Sequence, residues 1–453
     1  MSTIAHGLIP RRIAFDILTR VEEGGYSDLL LDTALSRSNL DSRDRGLVTE
    51  LVYGILRLRG RLDFALQQVS RQPLQRLEPI ALRLLRLGAY QILELDRVPA
   101  HAAIHVTVEL SRQLGMERVC GLINGTLRGL ERQRDEIPWP TPDTIRPYLQ
   151  QVCSLPTWLA KEILRQFPNK DSQGLAEALA TSAPFTLRVN RLKTDRETII
   201  DAMAAAGHCV RPTRYADDGI RVEQRSSEPL PGDEDGWYQV QDQASMLIAH
   251  LLDAQPGMKI LDGCAAPGGK TTHIAALTEN RADILALDKH PQRVDLMRRG
   301  IRRLGCTSIE ARTWDLTEPP EFLAPSQFDR VLVDAPCSGL GVLRRNPETR
   351  WNRTTKDTKA LAALQTQILD NIAPLVSPGG ILLYSVCTFT TRETVDIVTR
   401  FLDEHKDFSL EPLATSVPPT WHELIGDDGM LHTYPHRHDD MDAFFAARLR
   451  RAD

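Results

Sequence analysis

The spacing of hydrophobic positions changes along this chain, and the changes divide it. From about Pro10 to Arg134 apolar residues return every three or four places, as in Ile13, Ile17, Val21, then Leu47, Leu51, Ile55, Leu58, then Leu82, Leu85, Ala89, Ile92. That spacing places them on one face of a helix. Repeated five to seven times, it predicts an all-helical bundle with starts at Asp41-Ser42 and Ser111 and breaks at Pro79 and Pro99. Residues 137–147, IPWPTPDTIRP, hold four prolines in eleven residues and cannot continue a helix, so a linker and the first domain boundary are expected there.

Beyond the prolines the pattern mixes. Helix-like LPTWLAKEILRQF precedes the alternating FTLRVN (185–190), then TDRETIIDAMAAAG with Thr194 as its expected cap, then short strands around Val210, Ile220 and Tyr238. This reads as a small α+β module ending near Asp235, where PLPGDEDGW is turn chemistry. From Val240 onward continuous apolar runs, MKILDG, DILALD, FDRVLVDAP and GGILLYSV, alternate with helical stretches such as QRVDLMRRGIRRL. Strands apolar on both faces and separated by helices predict a mostly parallel, doubly wound sheet. The expected organisation is therefore multidomain: a helical bundle over 1–137, an α+β module over 138–235 and an α/β domain over 236–453. In such a sheet ligands bind at the carboxyl ends of the strands.

Composition narrows the setting. Hydrophobic residues are 42% and charged residues 25% of the chain; no apolar run approaches the roughly 20 residues of a membrane span, and MSTIAHGLIPRR lacks an apolar leader, so a cytoplasmic protein is expected. Seven cysteines stand apart, without CxxC pairs or histidines at metal-ligand spacing, which predicts reduced thiols, no disulfide frame and no metal. A net charge of -5 argues against coating nucleic acid by bulk electrostatics and leaves local basic patches as the route to RNA. Up to residue 137 the cations are 19 Arg and no Lys, against 17 acidic residues.

The chemistry gathers at strand ends. LDGCAAPGGKTTH (261–273) ends the first strand of the sheet and opens a helix, and its small residues let a backbone approach a ligand closely. A Walker loop would need glycine where Cys264 stands, and GxGxxG is absent. The remaining reading is the cofactor loop of an adenosylmethionine-dependent methyltransferase, with Cys264, Ala265, Ala266, Pro267, Gly268, Gly269 and Lys270 as its binding residues. Asp288 ends the next strand, about 20 residues on, where a carboxylate suits ribose hydroxyls. Asp315 in TWDL follows the third strand, in reach of an adenine amino group or as a plain turn cap. Asp334 closes FDRVLVD, and DAPC carries Cys337 where methyltransferases of exocyclic nitrogens place an aromatic. A thiolate adding to carbon 6 of a pyrimidine makes carbon 5 nucleophilic, and a carboxyl group at ring N3 stabilises the adduct. Cys387 in LLYSVCTF ends the fifth strand, so two thiols face one crevice; the residues alone do not rank them. A thiol redox pair is a competing reading without a CxxC in its favour.

LDGCAAPGGKT, LALDKHPQR, VDAPCSGLGVLRRNPETRW and YSVC together resemble the RNA 5-methylcytosine methyltransferases of the NOP/Sun (Fmu) family. RRIAFDILTRVEEGGYSDLLLD and DRGLVTELVYGILRLRGRLD are similar to the NusB-like domain that precedes the catalytic part in bacterial 16S ribosomal RNA members. The resemblance implies a Rossmann-like methyltransferase domain, S-adenosyl-L-methionine as cofactor, Cys387 as the nucleophile, Cys337 assisting product release, and Asp334 and Lys270 in the catalytic neighbourhood, with Asp334 also near the cofactor. It implies ribosomal RNA as partner, a monomer and rRNA processing as the setting. Transfer RNA, or a non-catalytic RNA assembly factor that retains the cofactor site, are the alternatives. The chain departs from the family after the nucleophile: TFTTRET keeps Glu393 but lacks the usual proline and asparagine, Val386 replaces threonine, and Ala443 stands for glycine. Arg344, Arg345, Arg350 and Trp351 in LRRNPETRWNR mix cations with an aromatic, the combination that holds single-stranded RNA; Arg57, Arg59 and Arg61 of RLRGR are a further phosphate-gripping candidate.

Overall fold

The computed structural model describes residues 3–453, which form two compact units. One runs up to Ser182 and includes Leu343–Arg353; the other is Ala183–Val342 with Thr354–Asp453. The first is helical: α1 (Thr3–Glu22), α2 (Ser27–Ser36), α3 (Ser42–Val69), α4 (Pro79–Glu94), α5 (Ala100–Gln113), α6 (Cys120–Gln133), α7 (Ile145–Gln151), α8 (Thr157–Gln166) and α9 (Asn169–Leu179). The three-and-four spacing turns Leu51, Leu62, Leu66, Leu84, Leu85, Leu127 and Leu130 into one buried core. Asp41 caps α3 by accepting from the Asp44 N–H at 2.8 Å, as expected, and α4 starts on Pro79, whose missing N–H costs nothing at a first helical position. Ser111 starts no helix: it lies inside α5, its hydroxyl bound to the Met116 carbonyl. Pro10 is inside α1 rather than at its start. Part of the arginine excess is structural, since Arg86 pairs with Asp63 at 2.7 Å and with Glu22, which also holds Arg83.

Neither expected domain boundary is a break between units. The proline-rich stretch neither stays clear of packing nor excludes helix throughout, since α7 starts within it and carries Pro147 in its first turn. Trp139 packs with its ring centroid 5.4 Å from that of Phe64 at a tilt of 43°, Arg61 lies 4.7 Å above the indole, and the chain runs on into α7 to α9 of the same unit. The small module, β1 (Phe185–Val189), α10 (Arg196–Ala205), β2 (Cys209–Pro212), β3 (Gly219–Gln224) and β4 (Tyr238–Val240), is an antiparallel sheet of order β2-β3-β1-β4 within the second unit. Asn190 bonds the Leu304 carbonyl at 2.8 Å and Arg303 reaches Gln239 at 2.6 Å, which fuses it to the larger sheet. Its helix is capped by Asp195, not Thr194, through the Thr198 N–H.

The large sheet has β5 (Lys259–Asp262), β6 (Asp283–Asp288), β7 (Ile309–Thr313), β8 (Phe328–Asp334) and β9 (Val376–Val386) in parallel. Three more strands, β10 (Phe408–Leu410), β11 (Leu431–His432) and β12 (Phe445–Arg451), add antiparallel pairings. The order is β10-β12-β9-β8-β5-β6-β7, with β11 beside β12. Helices α11 (Gln243–Leu251), α12 (Gly269–Leu277), α13 (Pro291–Leu304), α14 (Thr355–Ile372) and α15 (Val395–Glu404) belong to the same unit. Ile260, Ala286, Leu332 and Leu383 point into one core and Leu261, Leu287, Val333 and Tyr384 into another, which is why these strands read as unbroken apolar runs. Sheet order reverses at β5 and β8, so the segments leaving those strands border one crevice.

Candidate active site

The glycine-rich loop is shaped by what its backbone must do. Gly268 has φ +99°, a region closed to side chains, and a Cβ there would lie 2.7 Å from Met297 Cγ. α12 starts directly behind it with no side-chain cap. Arg188, fully buried on β1, braces that first turn by donating to Gln241 Oε1 at 2.7 Å, to Thr272 Oγ1 at 3.1 Å and to the Gly269 carbonyl. Beneath the loop Asp262 accepts from Thr271 Oγ1 at 2.7 Å while its other oxygen, also buried, has no hydrogen-bond partner. Burial pushes this carboxyl up to about 7, with the Asp334 charge adding to the rise against the Thr271 bond.

A cavity of about 280 Å³ opens at the strand ends. At one end stand Asp288, Trp314 and Asp315, at the other Asp334, Cys337 and Cys387, with Cys264 and Ala266 of the loop between them. Asp288 accepts from the His290 N–H at 3.0 Å and from the Ala266 N–H at 3.3 Å, tying the loop to β6. Asp315 accepts from the Thr317 N–H and hydroxyl at 3.0 and 2.9 Å; burial works against its charge, but these bonds outweigh it and keep the carboxyl below its usual value.

At the other end Asp334 uses both oxygens, accepting from Ser385 Oγ at 2.8 Å and from Lys270 Nζ at 2.6 Å. Burial alone would lower the Lys270 ammonium; the Asp334 charge and hydrogen bond outweigh it and hold the group above its ordinary value. The ammonium also lies 5.1 Å from the Phe444 ring. Cys337 Sγ and Cys387 Sγ are 3.3 Å apart. The hydrogen bond to Cys387, and then burial, push the Cys337 thiol well up, which keeps its proton on. Cys264, though it walls the cavity, is raised well above its usual value by burial and is poorly suited to nucleophilic work.

Sequence-predicted residues thus converge from the ends of all five parallel strands: Cys264, Ala266, Asp288, Asp315, Asp334, Cys337 and Cys387 line one cavity. Lys270 reaches it through Asp334, while Ala265, Pro267, Gly268 and Gly269 form the turn behind. Much of the following segment, expected to hold RNA, is spent on contacts within the helical unit. Arg344 and Arg350 are buried, and Arg350 donates to the carbonyls of Arg57 at 3.0 Å and Leu179 at 2.9 Å. Trp351 spends its indole N–H on the Leu56 carbonyl at 2.6 Å and is covered by Arg59 at 5.2 Å. Arg345 is half-buried in the same stretch, which belongs to the helical unit. The RLRGR candidate goes with it: Arg57 is buried, Arg59 lies on Trp351 and Arg61 pairs with Glu94 at 2.9 Å. Four contributors were missed: Ser385, Trp314, Phe444 and Arg188. Ser385 was findable, because it lies two residues before Cys387 on one strand face; a buried arginine on a different sheet was not. Among the described residues Asp218, His250 and His273 bring three potential metal ligands within 4.8 Å, but the carboxylate is already engaged by both imidazoles.

The sheet order with its antiparallel β12, the glycine loop and the strand-end carboxylates define an adenosylmethionine-dependent methyltransferase. The residues present suit that cofactor: a buried orphan carboxyl oxygen under the loop and two carboxylates at the far end of the cavity. Comparison with known proteins gives the family. The profile of the 16S rRNA methyltransferase RsmB/F family matches residues 249–450, that of the NusB family residues 8–132, and that of the RsmF/B-like ferredoxin-like domain residues 155–227. The probable ribosomal RNA small subunit methyltransferase B of Bacillus subtilis is 36% identical over 446 residues, covering 97% of this chain and 98% of its own. Its counterpart in Serratia proteamaculans is 35% identical over 97% of this chain and 98% of its own. The chain belongs to the RsmB/F family of RNA methyltransferases. The crystal structure of PH0851 shares the fold, with a TM-score of 0.81 at 24% identity over 98% of this chain and 99% of that one. A methyltransferase homologue from Pyrococcus horikoshii superposes with a TM-score of 0.58 at 25% identity, covering 69% of this chain and 100% of its own.

Proposed function

We propose that this protein methylates carbon 5 of a cytosine in 16S ribosomal RNA through a covalent adduct on Cys387. The observation that carries the reading is the pair of sulfurs 3.3 Å apart at the end of the cavity that also holds Asp334. A second thiol there has no task in nitrogen methylation, whereas carbon-5 chemistry needs one sulfur to make a bond and something beside it to help break that bond.

In this reading the Cys387 thiolate adds to carbon 6, and the electron pair of the 5,6 double bond moves onto carbon 5. When bound, the cofactor supplies the methyl group to that carbon. Asp334, pinned by Ser385 and Lys270, faces the base edge at N3 and the exocyclic amine, and the Lys270 ammonium offsets the negative charge gathered there. The carbon-5 proton then passes to water, the C–H electron pair reforms the 5,6 double bond and Cys387 departs as thiolate, with Cys337 assisting. We assign RNA holding to the NusB-like part, 1–137, and the small α+β part, 138–235, of a monomer acting in the cytoplasm. The family matches to residues 8–132 and 155–227 support the division into these two parts.

Bisulfite sequencing of RNA from cells with and without the gene tests the substrate. Loss of one protected cytosine in 16S RNA is expected; loss confined to transfer RNA, or no loss, would overturn it. With purified protein, Cys387→Ala is expected to transfer no methyl and Cys337→Ala to accumulate protein–RNA adduct; an active Cys387→Ala enzyme would reverse the roles.

A further inference from the structure

The two cysteines come from separate segments, the loop after β8 and the end of β9, so their approach to 3.3 Å must be imposed from outside the pair. The buried carboxylate of Glu393 sits where it can do so. It is 0% exposed, in the turn Thr391–Glu393 that follows β9. Its Oε1 accepts from the Ser338 N–H at 2.8 Å and from Gln365 Nε2 at 3.2 Å; its Oε2 accepts from Thr390 Oγ1 at 2.9 Å. Gln365 Nε2 also donates to the Pro336 carbonyl at 2.9 Å.

Both chain neighbours of Cys337 are therefore gripped, Pro336 by Gln365 and Ser338 by Glu393. The grip extends to the other sulfur. Ser338 Oγ lies 2.9 Å from Thr388 Oγ1, and the Gly341 N–H donates to the Cys387 carbonyl at 3.0 Å. The Tyr384 hydroxyl donates to the Glu393 carbonyl at 2.7 Å and lies 3.2 Å from Gln365 Oε1, closing the network onto β9. Glu393 and Gln365 are absent from the cavity lining; they reach the thiols through the backbone, and the Glu393 charge adds a smaller push upward on the Cys337 thiol. A carboxylate buried this deeply is tolerated only with its lone pairs satisfied, and here the donors that satisfy it are the loop amide beside one cysteine and a residue just beyond the other.

We propose that Glu393, supported by Gln365, is a positioning residue that sets the distance between Cys337 and Cys387 and so the rate at which methylated product leaves Cys387. The proposal about product release rests on the function proposed above; the proposal about sulfur distance does not. TFTTRET, the string in which this chain departs from its family, supplies Thr388, Thr390 and Glu393 to the network.

The test uses the full-length protein and two readouts. Diamide oxidises two adjacent thiols to a disulfide, taking up both protons and both electrons in its N=N bond, so the rate of Cys337–Cys387 cross-linking, followed by peptide mass, reports sulfur proximity without any methyl transfer. Single-turnover assays with 16S RNA then report adduct decay. Glu393→Ala is expected to slow cross-linking and adduct decay tenfold or more while leaving S-adenosylhomocysteine affinity within twofold. Glu393→Gln, which keeps an oxygen for the Ser338 amide, restores both. Should Glu393→Ala fail to fold, as judged by loss of S-adenosylhomocysteine binding, Gln365→Leu and Ser338→Ala take its place, with about threefold slowing expected. Cross-linking at the wild-type rate in every folded variant would overturn the positioning role. Slowed cross-linking with no adduct in any variant, wild type included, would leave the positioning intact and refute the proposed function instead.

Discussion

Replacing Arg350 with methionine separates a structural arginine from an RNA-binding one. Arg350 is 0% exposed and donates to the carbonyls of Arg57 at 3.0 Å, Leu179 at 2.9 Å, and Ser154 and Leu343 at 3.4 Å each. It thus joins α3, the turn after α7, the end of α9 and its own segment. Burial, with the nearby Arg57 guanidinium adding to it, pushes Arg350 down to about 9, so part of its bonding is spent on holding a charge out of water. Two well-formed bonds from a charged donor contribute about 3–6 kcal/mol, and methionine removes the buried charge, so a net loss of about 2–4 kcal/mol is expected. For a unit near 200 residues that corresponds to a melting midpoint lower by roughly 5–15 °C. The assay is thermal unfolding followed by tryptophan fluorescence, with Trp139, Trp158 and Trp351 in the helical unit. In parallel, RNA affinity is measured from low to high salt. A lost phosphate contact would reduce the slope of log affinity against log salt by about 0.7; an unchanged slope is expected. A variant as stable as the wild type whose salt slope falls by that amount would refute the structural account and restore Arg350 to the RNA surface.

Gly268→Ala should weaken S-adenosylhomocysteine binding and destabilise the catalytic unit by about 2–4 kcal/mol, since φ +99° disfavours any side chain and the new methyl would press on Met297; calorimetry and thermal midpoints check both. Asp262 holds its proton up to about 7 when folded, against an ordinary value near 3.8. Its burial therefore costs progressively more stability as pH rises from about 4 to about 7, up to about 4 kcal/mol, and Asp262→Asn should gain on the wild type across that window. Burial brings His273 down to about 4 from 6.5, so the unfolded chain takes up the proton first. Stability should fall as pH drops from 6.5 to about 4, and His273→Gln should flatten that arm of a midpoint-against-pH curve.

Local pattern carried the catalytic sheet because β5, β6, β8 and β9 are largely buried on both faces and so read as nearly unbroken apolar runs. The same runs located Asp288, Asp334 and Cys387, each ending or directly following its strand. Elements were less legible where a polar residue had two uses. Thr194 and Asp195 are both plausible caps by type, and only the direction of the chain into α10 selects Asp195. Prolines at 138, 140, 142 and 147 suggested a linker, but Pro147 fits the first turn of α7, and the prolines say nothing of Trp139, whose ring found Phe64 far back along the chain.

What the sequence determined by itself was therefore the kind of sheet, the strand ends and the chemical groups standing there, because each follows from interactions within a few residues. What only the tertiary structure decided was which of those groups meet and which charges are spent. An arginine reads alike whether water or a distant carbonyl receives its protons, and Arg350 finds its receivers 171 and 293 residues away. Two cysteines fifty residues apart become neighbours only when a buried carboxylate and an amide side chain clamp the loops that carry them. Those bonds depend on long-range closure of the sheet, which no local stretch encodes.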